Sequence, residues 1–518
     1  MKFIKNCWAI ALVLIMVLSA TIAFPIASNA QVGLFGVDPE VAPPKPEWDK
    51  QADCNPNSET ENCIPLNPND PKLKAWRELR NPDDIKKDRA AGPINIQKYN
   101  YGYSWFGIPT FFHLPVALTP EDLNPDADAE LAIEPGQRSV DVAIMGAYTD
   151  MSGGMRGAQH GPNAFRNSEV YGGWGAVNLP NMHVMIDPFK ELNMVDYGDA
   201  PIDMMSTERS VKAIRKYVFD AINAHWKKVP VLDCDQLEPG TDGPKKVGEV
   251  ETGIVPIIIG GDHSLMYADV AALHDAYAGE NSDREDAPSP IGVIHFDAHF
   301  DGSQSGFGHL ISHGMPVYRL INEGLVPGRN FIQVGLRGYY PNQETFDWMR
   351  QNQIRYHTMA EIEKHGWNDV MDRVLSEAKE DINGYSNPDT KLFISFDIDV
   401  LDPAFVPGTG TPEPGGLTPR EAFPIVRRLC AESNVVGFEL VELNPLVDPT
   451  YVSAMNANRI VRECLTGLAM QRKQCVQHEG EYISLTNNYL SPLTRWHGNG
   501  PEPQPPSESS DPVAWQRR

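Results

Sequence analysis

Beyond residue 30 the chain has no apolar run of the roughly 20 residues a bilayer core requires, so nothing there reads as a membrane span. Cysteine is scarce: there are seven in 518 residues, none at zinc-site spacing and none inside the acidic motifs described below, which excludes a thiolate-rich zinc or iron-sulfur site. Positive charge is also short. The 44 Lys and Arg set against 69 Asp and Glu leave a net charge of -25, which repels nucleic-acid phosphates, serves solubility and concentrates small cations at the surface. No twin-Arg precedes the first apolar run, no Cys follows it to accept a lipid, and no internal repeat stands out.

What the chain does have is a first segment with Lys2 and Lys5, an apolar run from about Trp8 to Ala27, and Ser28 and Ala30 in the arrangement a signal peptidase reads. Cleavage after Ala30 and export, to the periplasm or the medium, are the expectation; an uncleaved membrane anchor is the alternative. Residues 31–104, rich in Pro, Asn, Asp and Glu, read as an irregular extension, and 471–518 as a C-terminal extension ending in a Pro- and Ser-rich tail. Loss of Cys7 with the leader leaves six cysteines, an even number in a compartment that permits disulfides. The local pairs Cys54/Cys63 and Cys464/Cys475 are the near candidates.

From 105 to 470, with 41% hydrophobic residues in the whole chain to build a core, short β-branched runs alternate with amphipathic stretches. That rhythm predicts βαβ units and a three-layer α/β/α fold with a mainly parallel sheet. The runs are 140–145, 255–259, 291–294, 331–334, 392–396 and 435–438, with helices over 207–225 and 418–432, the latter opened by Thr418 as N-cap and Pro419 at N1. The polar stretches at 116–138, 235–251 and 278–290 read as surface insertions.

Four of the runs end in acids: Gly260-Gly261-Asp262-His263-Ser264, Asp297-Ala298-His299-Phe300-Asp301, Asp397-Ile398-Asp399 and Glu439-Leu440-Val441-Glu442. Ligands of open parallel sheets bind beyond the strands' carboxyl ends, so these clusters should converge. In strand geometry i and i+2 share a face, which gives Asp297 with His299 and Asp397 with Asp399 metal-ligand spacing. Carboxylates with imidazoles suit Mn²⁺ and similar ions, and so many buried charges call for two cations.

With these motifs, the Gly107-Ile108-Pro109-Thr110-Phe111 opening, Gly161-Pro162, His313-Gly314 and the stretch from Ser395 to Gly416, the chain resembles the ureohydrolase family of arginases and agmatinases over about 105–470. The resemblance implies one manganese on His263, Asp297, Asp301 and Asp397 and a second on Asp297, His299, Asp397 and Asp399, giving two Mn²⁺ per chain, with Ni²⁺ the variant for free guanidine. It implies Glu442 as holder of the guanidinium and His313 as proton shuttle, with a water acidified between the ions as nucleophile. It also implies a trimeric or hexameric homo-oligomer. One departure is Glu439, where arginases carry Asp.

The expected substrate is agmatine, split to putrescine and urea. Guanidinobutyrate, another guanidino acid or guanidine is the alternative, because the 302–312 loop has no Arg, Lys or acid to choose a tail. A non-catalytic metal-binding protein on this scaffold would need neither Glu442 nor His313. A phosphoesterase would want basic residues that the motifs do not supply.

Overall fold

Short runs of Val, Ile and Phe between Gly, Pro and Asp are too brief for helices. Apolar on both faces, they satisfy their backbone groups by pairing with one another. The computed structural model describes residues 92–94, 96, 108–124, 139–151, 154–171, 179–203, 206–278, 289–304, 311–339, 341–380, 390–478 and 481–485. The expected leader, most of the 31–104 extension, the tail from 487 and the Cys54/Cys63 pair lie outside them. Strands β1 (Val142–Ala147), β2 (Met194–Asp199), β3 (Lys227–Leu237), β4 (Pro244–Thr252), β5 (Val255–Gly260), β6 (Ile291–Phe296), β7 (Phe331–Val334), β8 (Arg355–His357), β9 (Lys391–Asp397) and β10 (Val435–Val441) follow in chain order. All but β3 and β4 join one sheet, ordered β2-β1-β5-β10-β9-β6-β7-β8, in which every pairing is parallel.

Alternation along the strands feeds two apolar layers. Val142 and Ile144 of β1 face one, and Ala143, Met145 and Ala147 the other; β6 divides Ile294 and Phe296 from Ile291 and Val293 in the same way. Helices α1 (Gly161–Tyr171), α2 (Thr207–Asn223), α3 (Leu265–Ala278), α4 (Pro316–Asn322), α5 (Gln343–Gln351), α6 (Met359–His365), α7 (Trp367–Ala378), α8 (Pro419–Glu432) and α9 (Val452–Lys473) flank the sheet. Phe165 of α1, Val370 and Val374 of α7, Ile425 and Leu429 of α8 and Ile460 and Leu465 of α9 fill the first layer. Val211 and Ile214 of α2, Leu265 and Leu273 of α3 and Leu320 of α4 fill the second. The architecture is thus the expected three-layer α/β/α. The four strands that end in acids become its adjacent central strands, β5-β10-β9-β6.

Helix α8 starts as expected, with a capping box in which the Thr418 backbone N–H donates to Glu421 Oε2 at 2.8 Å. Helix α2 ends at Asn223, two residues short of the expected 225, and opens on Ser206, whose Oγ accepts from Arg209 N at 3.2 Å. The 235–251 insertion is more regular than expected, because most of it lies in the antiparallel β3–β4 hairpin. Among the described residues no helix is long and apolar enough to cross a membrane.

The cysteine pairing corrects the expectation. Cys464 bonds Cys430, joining α9 to α8, and Cys475 bonds Cys234, joining the β11 (Cys475–His478) and β12 (Glu481–Ser484) hairpin to β3. Cys464 and Cys475 cannot meet, because the last turns of α9 between them rise about 1.5 Å per residue, whereas bridged Cα atoms lie within about 7 Å. Non-reducing peptide mapping should recover 430–464 and 234–475 cross-links, and a 464–475 peptide would contradict this fold. A Cys234→Ser, Cys475→Ser double variant should lose about 2 to 5 kcal/mol of stability, read as a lower unfolding midpoint.

Candidate metal centre

Three of the acidic clusters begin where a central strand stops, and the fourth starts with Glu439 inside β10 and reaches Glu442 just beyond its end. Beyond β5, Gly261 is required by space, since a Cβ there would lie 2.4 Å from the Thr149 carbonyl oxygen. The Gly261 carbonyl accepts from Glu442 N at 2.8 Å, tying the β5 turn to the β10 turn. Asp262 stays out of the centre: one of its oxygens accepts from Ser264 Oγ at 2.5 Å and the other from Met151 N. Asp297, His299 and Asp301 follow β6, with Asp301 in the left-handed region at φ 52°. Asp397 closes β9, and Asp399 sits in the 3₁₀ turn after it. The i, i+2 pairs therefore converge, but across the strand-to-turn bend rather than along an extended strand.

Side chains from three turns meet at two points. His263 Nδ1 lies 3.1 Å from Asp297 Oδ2, 3.0 Å from Asp301 Oδ2 and 3.1 Å from Asp397 Oδ2. His299 Nδ1 lies 2.8 Å from Asp399 Oδ2 and 3.5 Å from Asp297 Oδ1. Asp297 thus offers one oxygen to each group. His263 and Asp297 are wholly buried, yet among the described residues His263 Nδ1 and Asp297 Oδ2 have no hydrogen-bond partner. Buried carboxylates around an imidazole lone pair, with no sulfur among them, are unfavourable alone and suit divalent cations of the Mn²⁺ type. The site is binuclear, built from His and Asp.

The centre opens into a 460 Å³ cavity, floored by His299, Asp301, Asp397 and Glu442 and walled by Ser303, His313, Asn342, Thr345 and Thr411. No Lys or Arg lines it among the described residues. A larger cavity of 610 Å³, lined by the first residues of β1, β5 and β10, holds none of these acids. Glu442, 2% exposed and at φ 62°, accepts from His263 N at 2.9 Å through Oε1, while Oε2 has no hydrogen-bond partner among the described residues. Left-handed backbone costs a non-glycine residue energy and persists where the surroundings enforce it, often at working sites.

Three buried or half-buried residues were not anticipated. His295 and Ser395 each sit two places before a ligand Asp, and the i, i+2 rule applied inward from the strand end finds both. The guanidinium of Arg337 donates from Nη2 to the carbonyls of Asp399 at 2.7 Å and Glu413 at 2.6 Å, and from Nη1 to that of Val400 at 3.2 Å, clamping the segment that carries Asp399. Nothing in the sequence marks that arginine.

Burial disfavours imidazolium, yet the facing carboxylates of Asp297, Asp301 and Asp397 raise the His263 pKa well above its usual value, and Asp399 and Asp297 push His299 up to about 12. Burial, then neighbouring charge, raises Asp397 and Glu442, whereas Asp297, despite its burial, is lowered by the imidazoles of His263, His295 and His299 set around it. The metal-free centre therefore holds protons at neutral pH that a cation must displace.

An all-parallel α/β/α domain that gathers imidazoles and carboxylates over a cavity at its strands' carboxyl ends defines a binuclear metallohydrolase. The arginase family model matches residues 140–467, and the chain belongs to that family, the ureohydrolases. It is 29% identical to the mitochondrial guanidino acid hydrolase of Homo sapiens over 76% of this chain and 90% of that one. It is 30% identical to the mitochondrial agmatinase of Gallus gallus over 65% and 83%. The solved proclavaminate amidinohydrolase of Streptomyces clavuligerus superposes with a TM-score of 0.54 at 26% identity, over 71% of this chain and 99% of that one.

Calorimetric titration of the metal-free protein with Mn²⁺ in buffers of different ionisation enthalpy should show proton release at neutral pH. Because the histidine pKa values are raised, affinity should climb from about pH 6 to about pH 9; a flat profile would show that the buried imidazoles carry no competing proton.

Proposed function

We propose that the chain is a manganese ureohydrolase whose substrate is agmatine, split into putrescine and urea. The observation that carries the guanidino chemistry is Glu442: a buried carboxylate oxygen without a partner, lining the same cavity as the His and Asp cluster. A planar guanidinium pairs with such a carboxylate, and that pairing fixes which face of its carbon looks toward the floor of the cavity. His263, Asp297, Asp301 and Asp397 would hold one ion, and Asp297, His299, Asp397 and Asp399 the other. When bound, the ions supply Lewis acidity that makes water nucleophilic near neutral pH. His313, which lines the same cavity, passes a proton to the departing amine. The absence of Lys and Arg from the described wall favours a tail without a carboxylate, and therefore agmatine over a guanidino acid. Agmatinases and guanidino acid hydrolases both stand among the relatives, so the tail remains the part to test.

Export completes the proposal. Disulfides persist in oxidising compartments, and the 234–475 and 430–464 bonds support a leader removed after Ala30. Protein recovered from its host should begin at Gln31; a chain retaining Met1 in the membrane fraction would be an anchored form instead.

Urea release should be assayed with agmatine, guanidinobutyrate, guanidinopropionate, arginine and guanidine, on Mn²⁺-loaded protein from Gln31 onward. Agmatine should give the highest kcat/KM, with Asp397→Ala inactive and Glu442→Gln reduced by about 100-fold or more, the loss of a charge-assisted bond that orients the substrate. Preference for a guanidino acid would move the assignment within the family. Metal binding without urea from any substrate would sink the hydrolase and leave a metal-binding scaffold.

A further inference from the structure

Beneath the acids runs a second polar level. In register, His295 of β6 stands beside Ser395 of β9, and Ser395 beside Glu439 of β10; all three are wholly buried. The residues before and after them, such as Ile294, Phe296, Phe396 and Leu440, are the apolar ones a buried sheet demands. A buried polar row costs stability unless its members have partners. Ser395 Oγ lies 2.8 Å from His263 Nε2, the ring nitrogen on the far side from the three carboxylates. His295 lies with His263, Asp297 and Asp301 in one cluster of potential ligands, so its role turns on which ring nitrogen carries the proton.

That proton can be located. Gln333 Nε2 donates to the Phe300 carbonyl at 2.9 Å, and a carbonyl only accepts, so the amide nitrogen and not its oxygen must face that way. The same nitrogen is 3.1 Å from His295 Nδ1. An amide nitrogen only donates, so Nδ1 is the acceptor and the proton of the neutral ring sits on Nε2. Nε2 in turn lies 3.0 Å from Asp297 Oδ2, the oxygen that faces His263 Nδ1 at 3.1 Å. A protonated ring nitrogen has no lone pair to give a cation.

We infer that His295 is a positioning residue and not a ligand: with its tautomer set by Gln333, its protonated Nε2 stands 3.0 Å from Oδ2 of Asp297, the carboxylate that offers an oxygen to both ligand groups, and this electrostatic contact holds the carboxylate in place. The inference rests on the binuclear reading of the centre but not on the identity of the substrate. Partners of this kind orient ligating groups, and their loss typically weakens metal binding about 10- to 100-fold without removing a site.

The test uses the full chain with Mn²⁺ for affinity and Co²⁺ for its visible spectrum. His295→Ala should keep two ions per chain and the wild-type Co²⁺ band positions, with Mn²⁺ affinity down about 10- to 100-fold. His295→Gln, whose amide N–H can face the carboxylate from a similar place, should recover most of the loss. Gln333→Leu, which frees the ring to change tautomer, should fall in the same range as His295→Ala. Melting of the metal-free variants and Gln333→Leu, which leaves the imidazole in place, separate a misfolded chain from a mispositioned ligand. Loss of one ion, or a shifted Co²⁺ spectrum, in His295→Ala would make His295 a ligand and overturn the inference. Wild-type affinity in all three variants would reduce the row to packing. A wild-type chain that binds no Mn²⁺ would overturn the metal reading with it, whereas two bound ions without urea would overturn only the proposed reaction.

Discussion

Carboxylates and imidazoles that favour charge are gathered where water is largely excluded, and the rest of the architecture answers to that constraint. Asp297, Asp397 and Asp399 would repel one another in a low-dielectric interior, and their divergent pKa values, one depressed and two raised, are the signature of that conflict. Protons relieve it in the metal-free protein and divalent cations relieve it when bound. A domain that must keep such a set assembled needs rigid backbone on every side. A parallel sheet covered on both faces supplies that backbone at the ends of its strands, where carbonyls stop pairing and the chain turns.

Strand order then does what local sequence cannot. The four acid-bearing segments are spread over 180 residues of chain, yet β5, β10, β9 and β6 lie side by side. Around them the turns are cross-tied: Gly261 to Glu442 through backbone, Asp262 to the Met151 loop, and Arg337 to the carbonyls of the Asp399 segment. Arg337 is instructive because its charge is placed against main-chain dipoles rather than a carboxylate. A cation paired directly with Asp399 would compete with the metal, while one bound to the backbone holds the segment and leaves the carboxylate free.

The converging side chains were legible because they are a pattern of residue type and position: an acid or imidazole after a β-branched run, repeated at several strand ends. The three-layer fold was legible for the same reason, through run length and alternation. What escaped depends on contacts between distant segments. Cys475 faces Cys234 across 241 residues only because the β11–β12 hairpin docks on β3, and Cys464 faces Cys430 only because α8 and α9 pack together. His295 and Ser395 obey the periodicity that found the ligands, but within an apolar run they pass for interruptions until the register sets them beside one another.

This division explains why the reaction is fixed more firmly than the substrate. Hydrolysis of a guanidino carbon depends on groups whose positions are over-determined by sheet, turns and buried hydrogen bonds, so relatives near 30% identity retain the family's chemistry. The cavity wall formed by Ser303, Asn342 and Thr345 is made of loops and a helix start, where a single side chain can be exchanged without disturbing the sheet. Specificity is a difference between two affinities and can turn on one such contact, whereas moving one of the buried aspartates would unmake the cluster. Relatives named for guanidino acids, for agmatine and for proclavaminate are what that asymmetry produces on one scaffold.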